Sequence, residues 1–177
     1  MKKKNKYILV GCCIILGLLG VVLGMRRYQE VNAEVYQNRV KTISIKTGEE
    51  IRGYHVRFRI DSYHLKKTTK TVNLTVKINL KQLGESYYGN KKGVGEYTNN
   101  MWFDLPWDFS NPVEKVIDKN GKNVTALPKL LKAAQPVTLH FEAPKEVFEK
   151  TKAPAFVFLV PHKNANHYTK YILPVKR

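Results

Sequence analysis

Hydrophobic and polar positions follow three rhythms along this chain, and the changes between them divide it. From Tyr7 to Met25 no residue is charged, a run of nineteen positions with Lys2, Lys3, Lys4 and Lys6 before it and Arg26 and Arg27 after it. As a helix that run reaches roughly 28 Å, close to the ~30 Å hydrocarbon core of a bilayer. It predicts a cytoplasmic tip and transmembrane signal anchor over residues 1–27, with residues 7–25 in the membrane. Between Tyr28 and Val40, apolar Tyr28, Val31 and Val35 fall near one helical face and predict a short stalk over 28–40. Beyond Lys41 the period drops to two.

The clearest period-two segment is Thr71 to Leu80, where Val72, Leu74, Val76, Ile78 and Leu80 alternate with polar residues, the pattern of a half-buried strand. Tyr54 to Leu65 alternates through Val56, Phe58 and Ile60, then resumes at Tyr63 and Leu65 in the opposite phase, which predicts a bulge near Asp61-Ser62. Lys66 to Lys70 reads as the exposed turn between these two strands. Thr42–Ile45, Val137–Phe141, Ala155–Val160 and Tyr168–Val175 are further strand candidates, with Pro161–His167 as a hairpin loop between the last two. Asp118–Gly121 carries the Asn-Gly signature of a tight turn. Short helices are expected at Pro128–Ala134 and Pro144–Lys150, each opening on a proline in a tolerated first-turn position. Many short strands with frequent turn signals predict a mainly β fold, an antiparallel β-sandwich over residues 41–177.

Across Lys41 to Lys176 this organisation resembles the immunoglobulin-like, telokin-like extracytoplasmic domains of unknown function that Gram-positive bacteria carry behind a signal anchor or lipobox. The similarity rests on Thr47-Gly48-Glu49-Glu50-Ile51, on the Val72–Leu80 strand, and on Val137 to Phe148, which reads V-T-L-H-F-E-A-P-K-E-V-F. The paired cysteines and buried strand tryptophan of antibody domains are absent, so only the architecture carries over. The resemblance implies an immunoglobulin-like, surface-exposed binding or scaffolding module and brings no catalytic residues with it.

Two other readings of the amino terminus compete with the anchor. A secretory signal cleaved at Val31-Asn32-Ala33 is opposed by the length of the apolar run and by Arg26, Arg27 and Glu30 before the cut. Lipidation at Cys12, suggested by Leu9-Val10-Gly11-Cys12, would leave most of the apolar run on the mature chain. Four lysines before the span against two arginines after it place the amino terminus in the cytoplasm and the remainder outside. Both cysteines, Cys12 and Cys13, lie inside the run, which excludes a cysteine nucleophile or thiolate zinc site from the outer domain.

Charge adds a second theme. The chain carries 31 Lys+Arg against 14 Asp+Glu, a formal net of +17. Residues 1–27 hold six cations and no acid, which leaves 25 against 14, a net +11, on the remainder. Such an excess attracts polyanions or anionic surfaces. Lys66, Lys67, Lys70, Lys91 and Lys92 are the candidate contacts for a teichoic polymer, an anionic lipid surface or nucleic acid. The cations are dispersed and not gathered in one arginine-rich run, which disfavours a dedicated nucleic-acid motif.

Candidate chemistry concentrates in Met101–Phe109, which holds both tryptophans. Trp102, Phe103, Asp104, Trp107 and Asp108, with Tyr87 and Tyr88 upstream, form a candidate recognition strip for a cell-wall polymer or a surface or secreted protein, because rigid rings beside acids grip sugars and peptides. The competing reading makes the rings a plug for one end of the sandwich. Asp104 and Asp108 also admit an envelope hydrolase using paired carboxylates. No nucleophile elbow, phosphate loop, H-E-x-x-H or nucleotide fingerprint occurs, and five scattered histidines form no ligand set, so neither enzyme chemistry, nor a cofactor, nor a metal is expected.

Overall fold

Alternation of apolar residues is what builds the folded part of this protein, and its strands obey the rhythm closely. The computed structural model describes residues 15–29, 40–84, 88, 97–105, 109–124, 135–163 and 167–177, in two compact units that divide after Arg39. In the first unit, residues 15–29 form one helix, α1. Its Ile15, Leu16, Leu18, Leu19, Val21, Val22, Leu23 and Met25 are each more than half exposed, so the helix is apolar on all sides. Among the described residues no helix is long and apolar enough to cross a membrane. The start of the expected span, residues 7–14, and residues 30–39 of the expected stalk lie outside the described residues.

Among the described residues the second unit contains ten strands: β1 (Val40–Ser44), β2 (Glu50–Gly53), β3 (Val56–Lys67), β4 (Thr71–Gln82), β5 (Met101–Leu105), β6 (Phe109–Pro112), β7 (Lys115–Ile117), β8 (Gln135–Pro144), β9 (Ala155–Pro161) and β10 (Tyr168–Pro174). They form two five-stranded sheets, sheet 1 in the order β1-β10-β9-β5-β6 and sheet 2 in the order β2-β3-β4-β8-β7. A short helix, α2 (Lys145–Lys150), follows β8. The fold is therefore mainly β.

The core lies between the two sheets. From sheet 2 come the apolar positions of β4, Val72 to Leu80, all at 2% exposure or less, together with Phe58, Ile60, Leu139 and Phe141. Sheet 1 answers with Met101, Phe103, Phe156, Phe158, Tyr171 and Leu173. Phe58 meets Phe158 and Tyr171 edge-on, with ring centroids at 4.9 and 5.2 Å, across the sandwich. Each such ring contributes on the order of 1.5–3 kcal/mol by leaving water.

The phase change in the third strand is a true irregularity, since register between β3 and β4 shifts between Ile60 and Ser62. Ahead of it, the chain departs from the pattern-based reading. Tyr54 and His55 are a turn, not strand, and Glu50–Gly53 is an extra strand that closes a hairpin on β3. The turn takes His55 to a φ of 57°, a region costly for a residue with a Cβ. Leu83 N–H and Tyr97 Oη both donate to the His55 carbonyl, at 2.7 and 3.3 Å, and hold it there.

The sandwich is not wholly antiparallel. β1 runs parallel to β10, Val40 beside Tyr168 through Ser44 beside Ile172. A parallel pair needs a long crossover, and here nearly the whole domain supplies it. The chain thus enters at the end that holds the β9–β10 hairpin. At the other end Lys145 N–H donates to the Lys70 carbonyl and Val175 N–H to the Pro154 carbonyl, gathering the β3–β4 turn, α2 and Pro174–Arg177. The expected helix at Pro128–Ala134 lies outside the described residues.

Candidate ligand-binding surfaces

The aromatic strip divides by strand alternation. Met101, Phe103 and Leu105 point into the core at 2% exposure or less, and the Phe103 ring lies 6.1 Å from that of Phe148. Phe103 is packing and offers nothing to a ligand. Trp102 and Asp104 turn to the outer face of sheet 1. There Lys170 Nζ stands 3.1 Å from Asp104 Oδ2 and 5.9 Å from the Trp102 ring.

That ion pair has an unusual reach. Lys170 is on β10 and Asp104 on β5, with β9 between them, so the lysine stem, the aspartate side chain and the 3.1 Å contact together bridge about 10 Å, two strand spacings. Val157, the β9 residue opposite Trp102 and Ile172, has no exposed surface although it faces outward. Trp102 and Ile172 flank it on that face, and the lysine stem runs past it with its ammonium at Asp104. The arrangement is self-contained. Trp102 Nε1 is buried with no hydrogen-bond partner among the described residues, a cost accepted inside the packing.

Tyr88 is also internal. Its hydroxyl donates to the Leu159 carbonyl at 2.7 Å, and its ring lies 6.2 Å from Tyr97 and 6.1 Å from Tyr168. Burial, followed by the nearby phenols of Tyr97 and Tyr168, pushes its own phenol far above the ordinary tyrosine range, so it is a neutral hydrogen-bond donor. Tyr87, Trp107 and Asp108 lie outside the described residues, so no geometry joins Asp104 to Asp108. Among the described residues no three metal-ligating side chains converge.

The hairpin lysines separate too. Lys66 and Lys67 end β3 instead of lying in the turn, so they face opposite sides of sheet 2. Lys67 Nζ lies 5.3 Å from the centre of the Phe148 ring, whereas Lys66 shares a row with Asn73 and Glu142 on the outer face. Lys70 sits in the turn, where its N–H donates to Thr68 Oγ1 at 3.3 Å. Lys91 and Lys92 lie outside the described residues.

A larger basic surface emerges from the register of sheet 2. Its outer face brings together Arg52 of β2, Arg57, Arg59 and Lys66 of β3, Lys77 and Lys81 of β4 and Lys115 of β7, against Glu50, Asp61 and Glu142. Glu50 lies 3.8 Å from Arg57 and Asp61 lies 2.6 Å from Arg59. Arg52, Lys66, Lys77, Lys81 and Lys115 have no carboxylate partner among the described residues. The register also sets Arg52 directly opposite Arg57, and Arg57 directly opposite Lys81. Like charges so placed repel. A cleft of about 130 Å³ lined by Glu50, Arg57, Phe58, Arg59, Asn79 and Lys81 lies beside that row. The sequence signal for this face was the identity of the polar partners in the alternating strands, arginine and lysine in place of serine and threonine.

Comparisons with known proteins add little to this geometry. Neither protein-family models nor curated proteins match the chain. Among solved structures the fold is similar to an uncharacterized β-sandwich protein from Clostridium difficile 630, with a TM-score of 0.49 and 11% identity over 77% of this chain and 95% of that one.

Proposed function

We propose that this protein is a membrane-anchored, extracytoplasmic module of the cell envelope that binds an anionic polymer on the outer face of sheet 2. The observation that carries the reading is the row Arg52–Arg57–Lys81, three cations opposed across three neighbouring strands. A fold gains nothing from this opposition, and an external chain of phosphates or carboxylates lying across the strands relieves it. The surrounding face, with seven cations against three acids, extends the same field. The role is one of binding or scaffolding without catalysis, on an immunoglobulin-like sandwich. The anchor is supported by the lysines at positions 2, 3, 4 and 6 and by α1, whose apolar residues surround it. The Trp102–Phe109 strip has less in its favour, because Phe103 is in the core and Lys170 occupies the outer face of Trp102.

The test uses the full chain in phosphatidylcholine nanodiscs, with labelled inorganic polyphosphate followed by anisotropy. Affinity should fall steeply and linearly in a log–log plot against salt, and a double R52E/K81E variant should lose most of it. Salt-indifferent binding, or wild-type affinity in the variant, removes the proposal. Protease shaving of intact cells tests the orientation: residues 40–177 should be digested from outside.

A further inference from the structure

We infer a second site, for an anionic amphiphile, in two grooves at the end of the sandwich opposite the chain's entry. The grooves flank the segment after β10 and share Pro174 and Lys176 in their walls. One, about 540 Å³, runs between the β1–β2 turn and Tyr63 of β3, with Ile45 and Leu173 as its apolar floor and Lys46 and Lys176 at its rim. The other, about 510 Å³, lies against Pro154, Ala155 and Ile172 and carries Lys152.

Three features select the ligand. Each volume falls within the ~300–1,000 Å³ of small-molecule sites, and both grooves are open to solvent along much of their length. The apolar surface that remains in the grooves belongs to Ala153, Ile172 and Pro174; a ligand made only of charge would leave it wet, whereas an alkyl or prenyl portion covers it. No Asp or Glu lines either groove, and Lys152 and Lys176 have no carboxylate partner among the described residues, whereas Lys46 N–H donates to Glu49 Oε2 at 3.2 Å. The rim therefore suits a phosphate or carboxylate head held by Lys176 together with Lys46 or Lys152. The ridge itself is fixed: Lys176 N–H donates to Tyr63 Oη at 3.1 Å and Val175 N–H to the Pro154 carbonyl at 2.9 Å, so the grooves exist before a ligand arrives. This site is remote from the Arg52–Arg57–Lys81 row and stands independently of the polymer reading.

The experiment labels isoleucine methyls in the full chain, held in phosphatidylcholine nanodiscs, and titrates hexyl phosphate, inorganic phosphate and hexanol separately. Hexyl phosphate should shift the Ile45 and Ile172 methyls saturably, and the other two should fail to do so at equal concentration. Lys176→Glu and Lys152→Glu, both exposed positions, should weaken hexyl phosphate at least tenfold with the remaining methyl spectrum unchanged. R52E/K81E should leave it intact, which separates failure here from failure of the polymer site. No shift with hexyl phosphate overturns the inference. Equal shifts with hexanol reduce the grooves to apolar surface, equal shifts with inorganic phosphate reduce them to a simple anion site, and either result also overturns it.

Discussion

Replacing Lys81 by glutamate should stabilise the folded head while weakening its hold on a polyanion. The β3–β4 register puts residue 81 directly opposite Arg57, with Cβ atoms ~5 Å apart and the charged ends of the long stems on the order of 7 Å apart. Two like charges at ~7 Å repel by roughly 0.6 kcal/mol in water. A Debye length of ~8 Å reduces this to about 0.25 kcal/mol at physiological ionic strength. Reversing the charge changes repulsion into attraction, so the gain is roughly twice these figures, about 0.5–1.2 kcal/mol. Glu50 already engages Arg57 at 3.8 Å, which favours the lower half of that range. For a domain of this size the gain corresponds to about 2–4 °C in melting temperature. Urea unfolding followed by tryptophan fluorescence, at 20 mM and 1 M salt, reads both the sign and its screening. A loss of stability at low salt, or a gain that persists undiminished at 1 M salt, would show that the row is no electrostatic conflict. Polyphosphate affinity measured on the same variant should move the opposite way from stability.

Lys170→Met keeps the stem beside Val157 but strips Asp104 of its partner; with side chains 28% and 19% exposed, the loss should be about 1–2 kcal/mol, between surface and buried pairs, in urea unfolding. Lys170→Ala should cost more than Lys170→Met, because it also removes the stem that runs past Val157. Gly84→Ala places a methyl 2.9 Å from His55 Cγ and should destabilise by about 1–3 kcal/mol, with hydrogen exchange rising first at the Leu83 amide that bonds the His55 carbonyl. Phe158→Ala removes the ring that meets Phe58 and Tyr97 and should cost about 3–5 kcal/mol by calorimetry.

What could be read beforehand follows from how burial writes itself into sequence. β4 is covered on one face along its whole length, so its period of two is unbroken and its bounds were nearly visible. The bulge at Ile60–Ser62 was visible for the same reason, as a slip of that period. β2 was hidden because its four residues are too few to show a rhythm and because the turn at Tyr54–His55 uses no glycine. β5 is absent from the strands that the pattern predicts, because its alternation of Met101, Phe103 and Leu105 with Trp102 and Asp104 is masked by a tryptophan on the outward side. The lysines at 66 and 67 looked like one patch because neighbours in sequence are neighbours in a turn, whereas in a strand they part to opposite faces. The Arg52–Arg57–Lys81 row was out of reach, since it exists only once three strands are in register.

The parallel seam between β1 and β10 has a mechanical consequence. A load applied between Val40 at the start of β1 and Pro174 at the end of β10 runs along both strands and across the hydrogen bonds that tie them. Those bonds are loaded in shear, all five register positions sharing the force, instead of being peeled open one after another. Loaded that way, the sandwich resists being pulled apart at its first strand.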